Sequence, residues 1–518
     1  MEDGSTARWG GKWLLRVTIA LLALHFVFAW LLALGVSVLA VLAFLAAILL
    51  ATPLAARVPG IGSGLPRAFA LVALLVLANV WLSAGDRETI ARVPLALVGA
   101  TVLTGERGVD PLPNAVVLVD GDGRISAVGD SSTLISDGHD VHDLSGRFLV
   151  PGLINAHGHL VMNGGVPGET REMPALFSVP WIGELIFAVM STYAGERIAS
   201  AMMIDNAQAA LRSGVTTLRG LGDPGFLDVA LRDRIAAGEV LGPRLLVAGP
   251  ILAITGGHAH QIGQVFDGPD EARRAVRANL AGQVDLIKIA STGGVSDSRR
   301  LGEAGELQMT PAELEAIVDE AHRKNILVTA HAESEQGVLE ALRAGVDNIE
   351  HGAELGPEAI ALFRDNPNSL RGHTTLHATL SVVAVAREVN DDVRGDRFRY
   401  IMTMNGNEIR ERMLTGFRQG VAGGVKLGVG TDAGIVDHGS VWMEMKYLVE
   451  IGGFSNAEAL HIGTLATAES IGVDAFTGSI APGKFADLVV LPSDPLVDIH
   501  AFAEPERVFV AGVPVPLD

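Results

Sequence analysis

The feature that most constrains the fold is a regular alternation of strand-like and helix-like runs from residue 151 to about residue 475. Apolar runs such as VDLIKIAS and ILVTAHA alternate with amphipathic runs such as MTPAELEAIVDEAHRKN and SEQGVLEALRAG. The helical runs often end in glycine before the next strand, as a helix C-cap does. Repeated βα units over this length predict an α/β fold, a (β/α)₈ TIM barrel whose active site lies at the C-terminal ends of its strands.

The segments on either side of this region have a different texture. Short strand-like runs separated by Gly/Asp turns precede it, and strand character returns near the C-terminus. We expect the two flanks to form one small β-sandwich domain. The predicted domains are a membrane anchor over 1–90, the first part of the small β domain over 91–150, the barrel over 151–478, and the second part of the β domain over 479–518.

The first ninety residues contain long apolar runs. Spans of about 17–34, 36–56 and 68–85 are each long enough to cross a hydrocarbon core as a helix. Lys and Arg are in excess at the N-terminus and in the 57–67 loop, which places both on the cytoplasmic side. These patterns predict an integral membrane protein with three transmembrane helices and a catalytic domain on the extracytoplasmic side.

Composition excludes several classes of function. The formal net charge is −20, which opposes binding to nucleic acid. The absence of cysteine excludes disulfides, thiolate zinc sites and a cysteine nucleophile. The expected partners are a small-molecule substrate and the membrane, and a homo-oligomer is left open.

Polar residues stand at the predicted C-terminal strand ends. In the stretch FLVPGLINAHGH, two histidines one residue apart would point from the same face of a strand. In a barrel all such positions converge, and imidazole, lysine and carboxylate together make a credible ligand set for two borderline-soft divalent ions such as zinc. The six candidates are His157, His159, Lys288, His331, His351 and Asp432.

The motifs PGLINAHGH, TGGH, IKIASTGG, AGVDNIEHG, GVGTDAG and GKFADLVVL resemble those of the metal-dependent amidohydrolase superfamily. The resemblance covers about residues 95–518 and is strongest to the imidazolonepropionase-related, prolidase-like and ochratoxinase-like branch. It implies that His157 and His159 bind one metal ion, that His331 and His351 bind the other, and that an N-carboxylated Lys288 bridges both.

The resemblance also implies a function. Asp432 would bind the first ion and act as catalytic proton shuttle, and two divalent ions, expected to be Zn²⁺, would activate a hydroxide that hydrolyses an amide or peptide-like C–N bond. The substrate would be a dipeptide or an N-acyl amino acid. Candidate substrate-binding residues are His258 in the TGGH loop, Glu333, where related chains often have histidine, and Arg219.

Two alternatives stay open at this stage. A nucleobase-type deaminase of the same superfamily would use one metal ion and a His-x-x-Glu element, whereas Ser334 stands three residues after His331. A catalytically inactive, membrane-anchored binding protein is the second alternative, although such a protein would be expected to have lost ligands.

Overall fold

The computed structural model describes residues 90–130, 138–165, 193–383 and 389–517. Strands and helices in this part of the chain are numbered here in chain order. The strands are β1 (Leu95–Val102), β2 (Leu112–Val119), β3 (Ile125–Asp130), β4 (Asp140–Asp143), β5 (Phe148–Pro151), β6 (Leu153–Gly158), β7 (Val215–Gly220), β8 (Arg244–Val247), β9 (Leu252–Ile254), β10 (Gln264–Phe266), β11 (Leu286–Ala290), β12 (Leu327–Ala332), β13 (Asn348–His351), β14 (Thr375–His377), β15 (Lys426–Gly428), β16 (Leu488–Leu491), β17 (Arg507–Val510) and β18 (Val513–Pro514).

Helices follow most of the parallel strands. The α-helices are α1 (Tyr193–Arg212), α2 (Leu227–Ala236), α3 (Pro269–Ala281), α4 (Pro311–His322), α5 (Glu335–Ala344), α6 (Pro357–Arg364), α7 (Leu380–Val383), α8 (Asp391–Gly395), α9 (Arg397–Gly423), α10 (Val441–Glu450), α11 (Asn456–His461) and α12 (Thr467–Ile471). Short 3₁₀ turns lie at Pro224–Phe226 and Ile499–Ala503, and a π turn lies at Ile462–Ala466.

The parallel strands form two sheets that backbone hydrogen bonds join at two places. One sheet has the order β6-β7-β8 and the other the order β10-β9-β11-β12-β13-β14-β15. The amide of Asp285 donates to the carbonyl of Val247 at 2.8 Å, and the amide of Ala156 donates to the carbonyl of Val429 at 2.9 Å. These bonds join β8 to β11 and β15 to β6, so the parallel strands surround a common interior. The result is a mixed α/β fold.

The alternation of side chains along each strand decides which of them face the common interior that the parallel strands surround. In β11, Ile287 and Ile289 are fully buried in the main hydrophobic core with the helices. Because successive strand residues point to opposite faces, Lys288 points the other way. In β12 the same alternation sends Val328 and Ala330 into the helix-facing core and His331 to the opposite face.

Helix boundaries follow capping rules. Thr310 accepts the amide of Glu313 while the Glu313 side chain accepts the amide of Thr310, a capping box that begins α4. Ser334 caps α5, and Gly345 ends that helix with φ +98°, a left-handed conformation that favours glycine. The run SEQGVLEALRAG therefore forms a helix with a glycine C-cap, as its pattern predicts.

The two flanking segments form one continuous sheet, not the two sheets of the expected sandwich. Its order is β18-β17-β16-β5-β1-β2-β3, and β4 pairs with β1. The physical reason is direct pairing between distant segments: β16 is antiparallel to β5, with Val489 opposite Val150, and β5 is parallel to β1. Residues before and after the parallel strands thus share one hydrogen-bonded ladder.

The predicted membrane architecture is wrong. Within the part of the chain that the structure describes, no helix is both long enough and apolar enough to span a membrane. The longest described helices, α1 with 20 residues and α9 with 27, carry charged residues along their length. The segments 17–34, 36–56 and 68–85 lie outside the described residues. The predictions of an integral membrane protein, a membrane partner and an extracytoplasmic catalytic domain depended on those spans and are withdrawn.

Candidate metal centre

The structure brings the six sequence-predicted ligands to the same end of the parallel strands. Parallel strands around a common interior direct their C-terminal residues toward one place. The six predicted ligands are His157 in β6 and His159 directly after it, Lys288 in β11, His331 in β12, His351 at the end of β13, and Asp432 shortly after β15.

The imidazoles of these histidines form one contiguous cluster. The ring centroid of His157 lies 5.4 Å from that of His159 and 5.0 Å from that of His351. The ring of His351 in turn lies 4.7 Å from that of His331. Four neighbouring imidazoles offer several nitrogen lone pairs over a few ångströms.

Asp432 faces the first two histidines. Its Oδ1 lies 3.3 Å from Nε2 of His157 and 3.2 Å from Nε2 of His159. Burial alone would raise the pKa of Asp432, but the two imidazoles outweigh it and hold the pKa well below its ordinary value. This carboxylate therefore stays ionised.

Backbone strain marks the same residues. Asp432 has φ +58° and His351 has φ +68°, both in the left-handed region that non-glycine residues rarely adopt. Such residues cost of order 1–3 kcal/mol each and persist where the surrounding structure fixes them, often at functional sites. The left-handed backbone at His351 and Asp432 sets the direction in which each side chain leaves the chain.

A buried carboxylate orients His157. Nδ1 of His157 lies 2.8 Å from Oε2 of Glu350, and both side chains are almost completely buried. An imidazole that donates from Nδ1 to a carboxylate keeps its lone pair on Nε2, the atom that faces Asp432. Glu350 thereby fixes the tautomer that a metal ligand requires.

Arg219 is a partner of Glu350, which corrects its expected place among the substrate contacts. Its side chain is 1% exposed. The guanidinium donates to the Ala156 carbonyl at 2.6 Å, to Oδ1 of Asn348 at 2.7 Å and to Oε1 of Glu350 at 2.6 Å. It also lies 3.0 Å from Nδ1 of His377. Because its donors are engaged inside the protein, this arginine acts on the predicted ligand His157 through Glu350.

His377, which the sequence could not place, completes this buried network. Nε2 of His377 lies 2.9 Å from the hydroxyl of Ser470, and that hydroxyl donates its proton to the Thr467 carbonyl. Nε2 therefore carries the proton and Nδ1 accepts from Arg219. Burial lowers the pKa of His377, which agrees with a neutral ring. Burial would raise the pKa of Glu350, but Arg219 and the neighbouring imidazoles together outweigh it and hold the pKa well below its ordinary value.

Lys288 lies beside the histidines in an apolar strand. It is 2% exposed and pairs in register with Thr329 of β12, two residues before His331. Burial lowers its pKa to about 8, despite the opposing charges of Glu350 and Asp432. A substantial fraction of neutral amine is thus present near neutral pH.

His331, His351 and Glu333 form a second group. One ligand atom from each residue lies within 4.8 Å of the others. Burial is the main cause that lowers the pKa of both histidines well below the ordinary value, so both rings are neutral. Neutral imidazole is the form that binds a metal ion.

His258, the candidate from the TGGH loop, joins the cluster through His331. Their ring centroids lie 4.5 Å apart. Nδ1 of His258 lies 2.7 Å from Oδ1 of Asp297, and the second oxygen of that carboxylate accepts the amide of Ala259. Burial lowers the pKa of His258, but Asp297 outweighs it, so the net direction is upward. Arg299 and Arg300 are exposed and bind the nearby acidic residues of their own loop.

Three supporting carboxylates were missed in the sequence: Glu350, Asp297 and Asp223. Glu350 had a detectable signal, because a charged residue inside the strand-like run VDNIEHG must be paired if it is buried. Asp297 and Asp223 gave no such signal, since each is far in the sequence from its hydrogen-bond partner. Asp223 is fully buried and accepts the amides of Leu160 and Val161, which fixes the turn after the first histidine pair.

These residues fit divalent metal ions. Two groups of described residues have ligand atoms close enough to share an ion, one of His157, His351 and Asp432 and one of His331, Glu333 and His351. Neutral imidazole and carboxylate oxygen are the donors that zinc and similar ions prefer. Burial of anionic and imidazole groups together is costly without a cation, which favours the same conclusion.

Comparison with known proteins gives consistent results. The sequence profile of the Amidohydrolase family matches residues 148–515. A crystal structure of a candidate prolidase from Bifidobacterium longum is 40% identical, with a TM-score of 0.70 over 82% of this chain and 95% of that chain. A crystal structure of a Xaa-Pro dipeptidase with bound methionine is 27% identical, with a TM-score of 0.68 over 81% of this chain and 99% of that chain.

Among curated sequences, ochratoxinase from Aspergillus niger is 29% identical over 325 residues, or 58% of this chain. The match spans 64% of the length of that relative.

Proposed function

Because the chain belongs to the amidohydrolase family, enzymes that act on carbon–nitrogen bonds, we propose that it hydrolyses an amide or peptide-like C–N bond in a small substrate with the help of two divalent metal ions. The observation that carries this proposal is the ionised Asp432 carboxylate beside His157 and His159, in one cluster with the neutral, buried imidazoles of His331 and His351. Proteins of this family generally use a divalent metal, and the donor set fits one.

We assign His157, His159 and Asp432 to the first ion and His331 and His351 to the second. When bound, two such ions would lower the pKa of a water between them and polarise the substrate carbonyl. The ions are expected to be Zn²⁺, because imidazole nitrogen and carboxylate oxygen dominate the donor set and no cysteine is present.

Lys288 is proposed to be N-carboxylated and to bridge the two ions. A protonated lysine would repel a metal ion, whereas its carbamate is an anion with two oxygens. Carbamate formation requires the neutral amine, and the pKa of Lys288, lowered to about 8 by burial, supplies it.

Asp432 is proposed to move the proton. Its carboxylate is ionised and lies next to both imidazoles of the first pair, so Oδ1 or Oδ2 can accept a proton from the attacking water. The same carboxyl group can then return that proton to the leaving amine. The strained backbone at Asp432 holds the carboxylate in place for both steps.

The substrate is proposed to be a dipeptide or an N-acyl amino acid. The names of the two structural relatives, a candidate prolidase and a Xaa-Pro dipeptidase, support a dipeptide. His258 lies beside His331 and is proposed to contact bound substrate.

Metal analysis of the purified full chain, together with a panel of dipeptides and N-acyl amino acids, tests the proposal. We expect about two ions per chain and hydrolysis that is lost with a chelator and restored with Zn²⁺. One ion per chain with release of ammonia from nucleobases would favour a deaminase, and absence of metal would favour a binding protein.

The variant Asp432→Asn separates chemistry from folding. It should keep the fold and most of the metal but lower kcat by several orders of magnitude, because the proton acceptor is lost. The matched control is Asp437→Asn, five residues further on, whose carboxylate accepts the amide of Gly439. Wild-type kcat in Asp432→Asn would refute the assignment.

A further inference from the structure

Glu333 has a carboxylate oxygen without a partner. The residue directly follows β12 and is 6% exposed. Its backbone is fixed, because its amide donates to the hydroxyl of Thr292 at 3.0 Å. Its Oε2 atom is buried and has no hydrogen-bond partner among the residues that the structure describes. Buried polar atoms are nearly always satisfied, so an unpaired carboxylate oxygen needs an explanation.

The neighbouring side chains do not satisfy this oxygen. The nearest imidazole nitrogen, Nε2 of His331, is 3.7 Å away, which is too far for a hydrogen bond. The ring of His258 lies beside that of His331, but its Nδ1 proton is directed to Asp297 at 2.7 Å. A buried polar group without a partner costs about 1–3 kcal/mol, whereas a bound cation would pair with this oxygen.

The positions of the surrounding atoms indicate which cation. One ligand atom each from His331, Glu333 and His351 lies within 4.8 Å of the other two, and all three residues are buried. Two neutral imidazoles and one carboxylate form a donor set that borderline-soft divalent ions accept.

We propose that Glu333 is a protein ligand of the second divalent ion, together with His331 and His351. This inference rests on the proposed function, in which that ion is present. It goes beyond the ligand set that the family resemblance implies, because that set has no carboxylate side chain at this position. It also replaces the expectation that Glu333 contacts the substrate. The second ion of this chain would then be held by three side chains besides any carbamate on Lys288.

Zinc titration of the metal-free full chain by calorimetry tests the proposal, with the d–d spectrum of Co²⁺ as a second readout of the ligand set. We expect Glu333→Gln to bind the first ion as the wild type does and to bind the second at least about 100-fold more weakly, since even loss of a supporting partner costs 10–100-fold. The control is Glu335→Gln, the same change two residues later at an exposed position, which should bind both ions normally.

Thermal unfolding distinguishes a ligand from a structural residue. Glu333→Gln keeps the size and shape of the side chain, so its metal-free form should be about as stable as the wild type. Saturating Zn²⁺ should then stabilise the variant less than the wild type. Glu333→His, which supplies another metal donor, should recover the second ion.

Several results would overturn the proposal. The proposal fails if Glu333→Gln binds two ions with wild-type affinity. If the only change in this variant is an increase in KM, Glu333 contacts the substrate instead. Absence of the second ion from Glu333→His in a folded protein would also count against it. If the wild type binds no metal, the proposed function itself fails, so the two failures can be told apart.

Discussion

Replacement of Arg219 by methionine tests whether the buried network behind the metal ligands holds the fold together. The arginine is 1% exposed, and its guanidinium lies 2.6 Å from Oε1 of Glu350, which is fully buried. Methionine keeps most of the apolar stem of the side chain but removes the charge. Glu350 would then be an ionised group in the interior that has lost its only arginine partner among the described residues.

The expected loss of stability is about 3–5 kcal/mol, the range for removing one member of a buried ion pair. The remaining donors to Glu350 are the hydroxyl of Thr329 and Nδ1 of His157. They reduce the cost but carry no full positive charge in their neutral forms. The Ala156 carbonyl also loses the donor that lies 2.6 Å away in the wild type, and this increases the loss of stability.

Urea unfolding of the metal-free full chain, followed by circular dichroism, measures this loss. The matched control is Arg343→Met, which breaks a pair with Glu358 of similar geometry, 2.8 Å long, on the surface. It should leave the unfolding midpoint unchanged within error, because exposed ion pairs contribute little. A double variant, Arg219→Met with Glu350→Gln, should recover part of the stability, since no buried charge remains.

The sign of the pH dependence follows from Glu350. Its pKa in the wild type is held well below 4.5, so its stabilising effect is present above about pH 4.5 and is lost as the pH falls through the lowered value. Without Arg219 the pKa of Glu350 should rise, and the carboxyl group should become neutral at a higher pH. The difference between variant and wild type should therefore shrink as the pH falls. A loss below about 1 kcal/mol, or one equal to that of Arg343→Met, would refute the reasoning.

Three further predictions concern the ligands and their support. Lys288→Ala should lose the bridge and most activity, and short carboxylic acids that mimic the carbamate oxygens should restore part of it; full metal occupancy and activity without rescue would rule the bridge out. Because the pKa of Lys288 is lowered to about 8, reconstitution of metal-free enzyme with Zn²⁺ and bicarbonate should be more complete at about pH 9 than at about pH 7, as measured by metal content, and equal yields would count against carboxylation. Asp223→Ala should weaken binding of the first ion about 10–100-fold, because the turn after His159 loses its acceptor; unchanged zinc affinity in calorimetry would contradict this.

The sequence by itself determined the residue types of the candidate centre. Strand-like runs ending in polar residues predicted that His157, Lys288, His331 and Asp432 would lie together, and the structure brings them to one end of the parallel strands. This prediction succeeds because side-chain alternation and strand direction are local properties that the order of residues fixes. The family motifs lie on the same strands and were recognisable for the same reason.

Hydropathy was a weaker guide. The apolar runs before residue 90 predicted transmembrane helices, but no described helix could cross a membrane, and the runs themselves lie outside the described residues. The flanking strands were recognised, yet their pairing was not. A strand pattern gives the faces of a strand, whereas its neighbours depend on which distant segment completes its hydrogen bonds.

Only the tertiary structure decided the roles of the charged residues around the ligands. Arg219 looked like a surface or substrate group, but packing buries it against Glu350, which is 131 positions away in the sequence. Glu333 and Glu335 follow the same strand-like run, yet one is buried with an unpaired oxygen and the other is exposed. Burial and long-range pairing set the charge state and the partner of each group, and both arise only when separate strands come together.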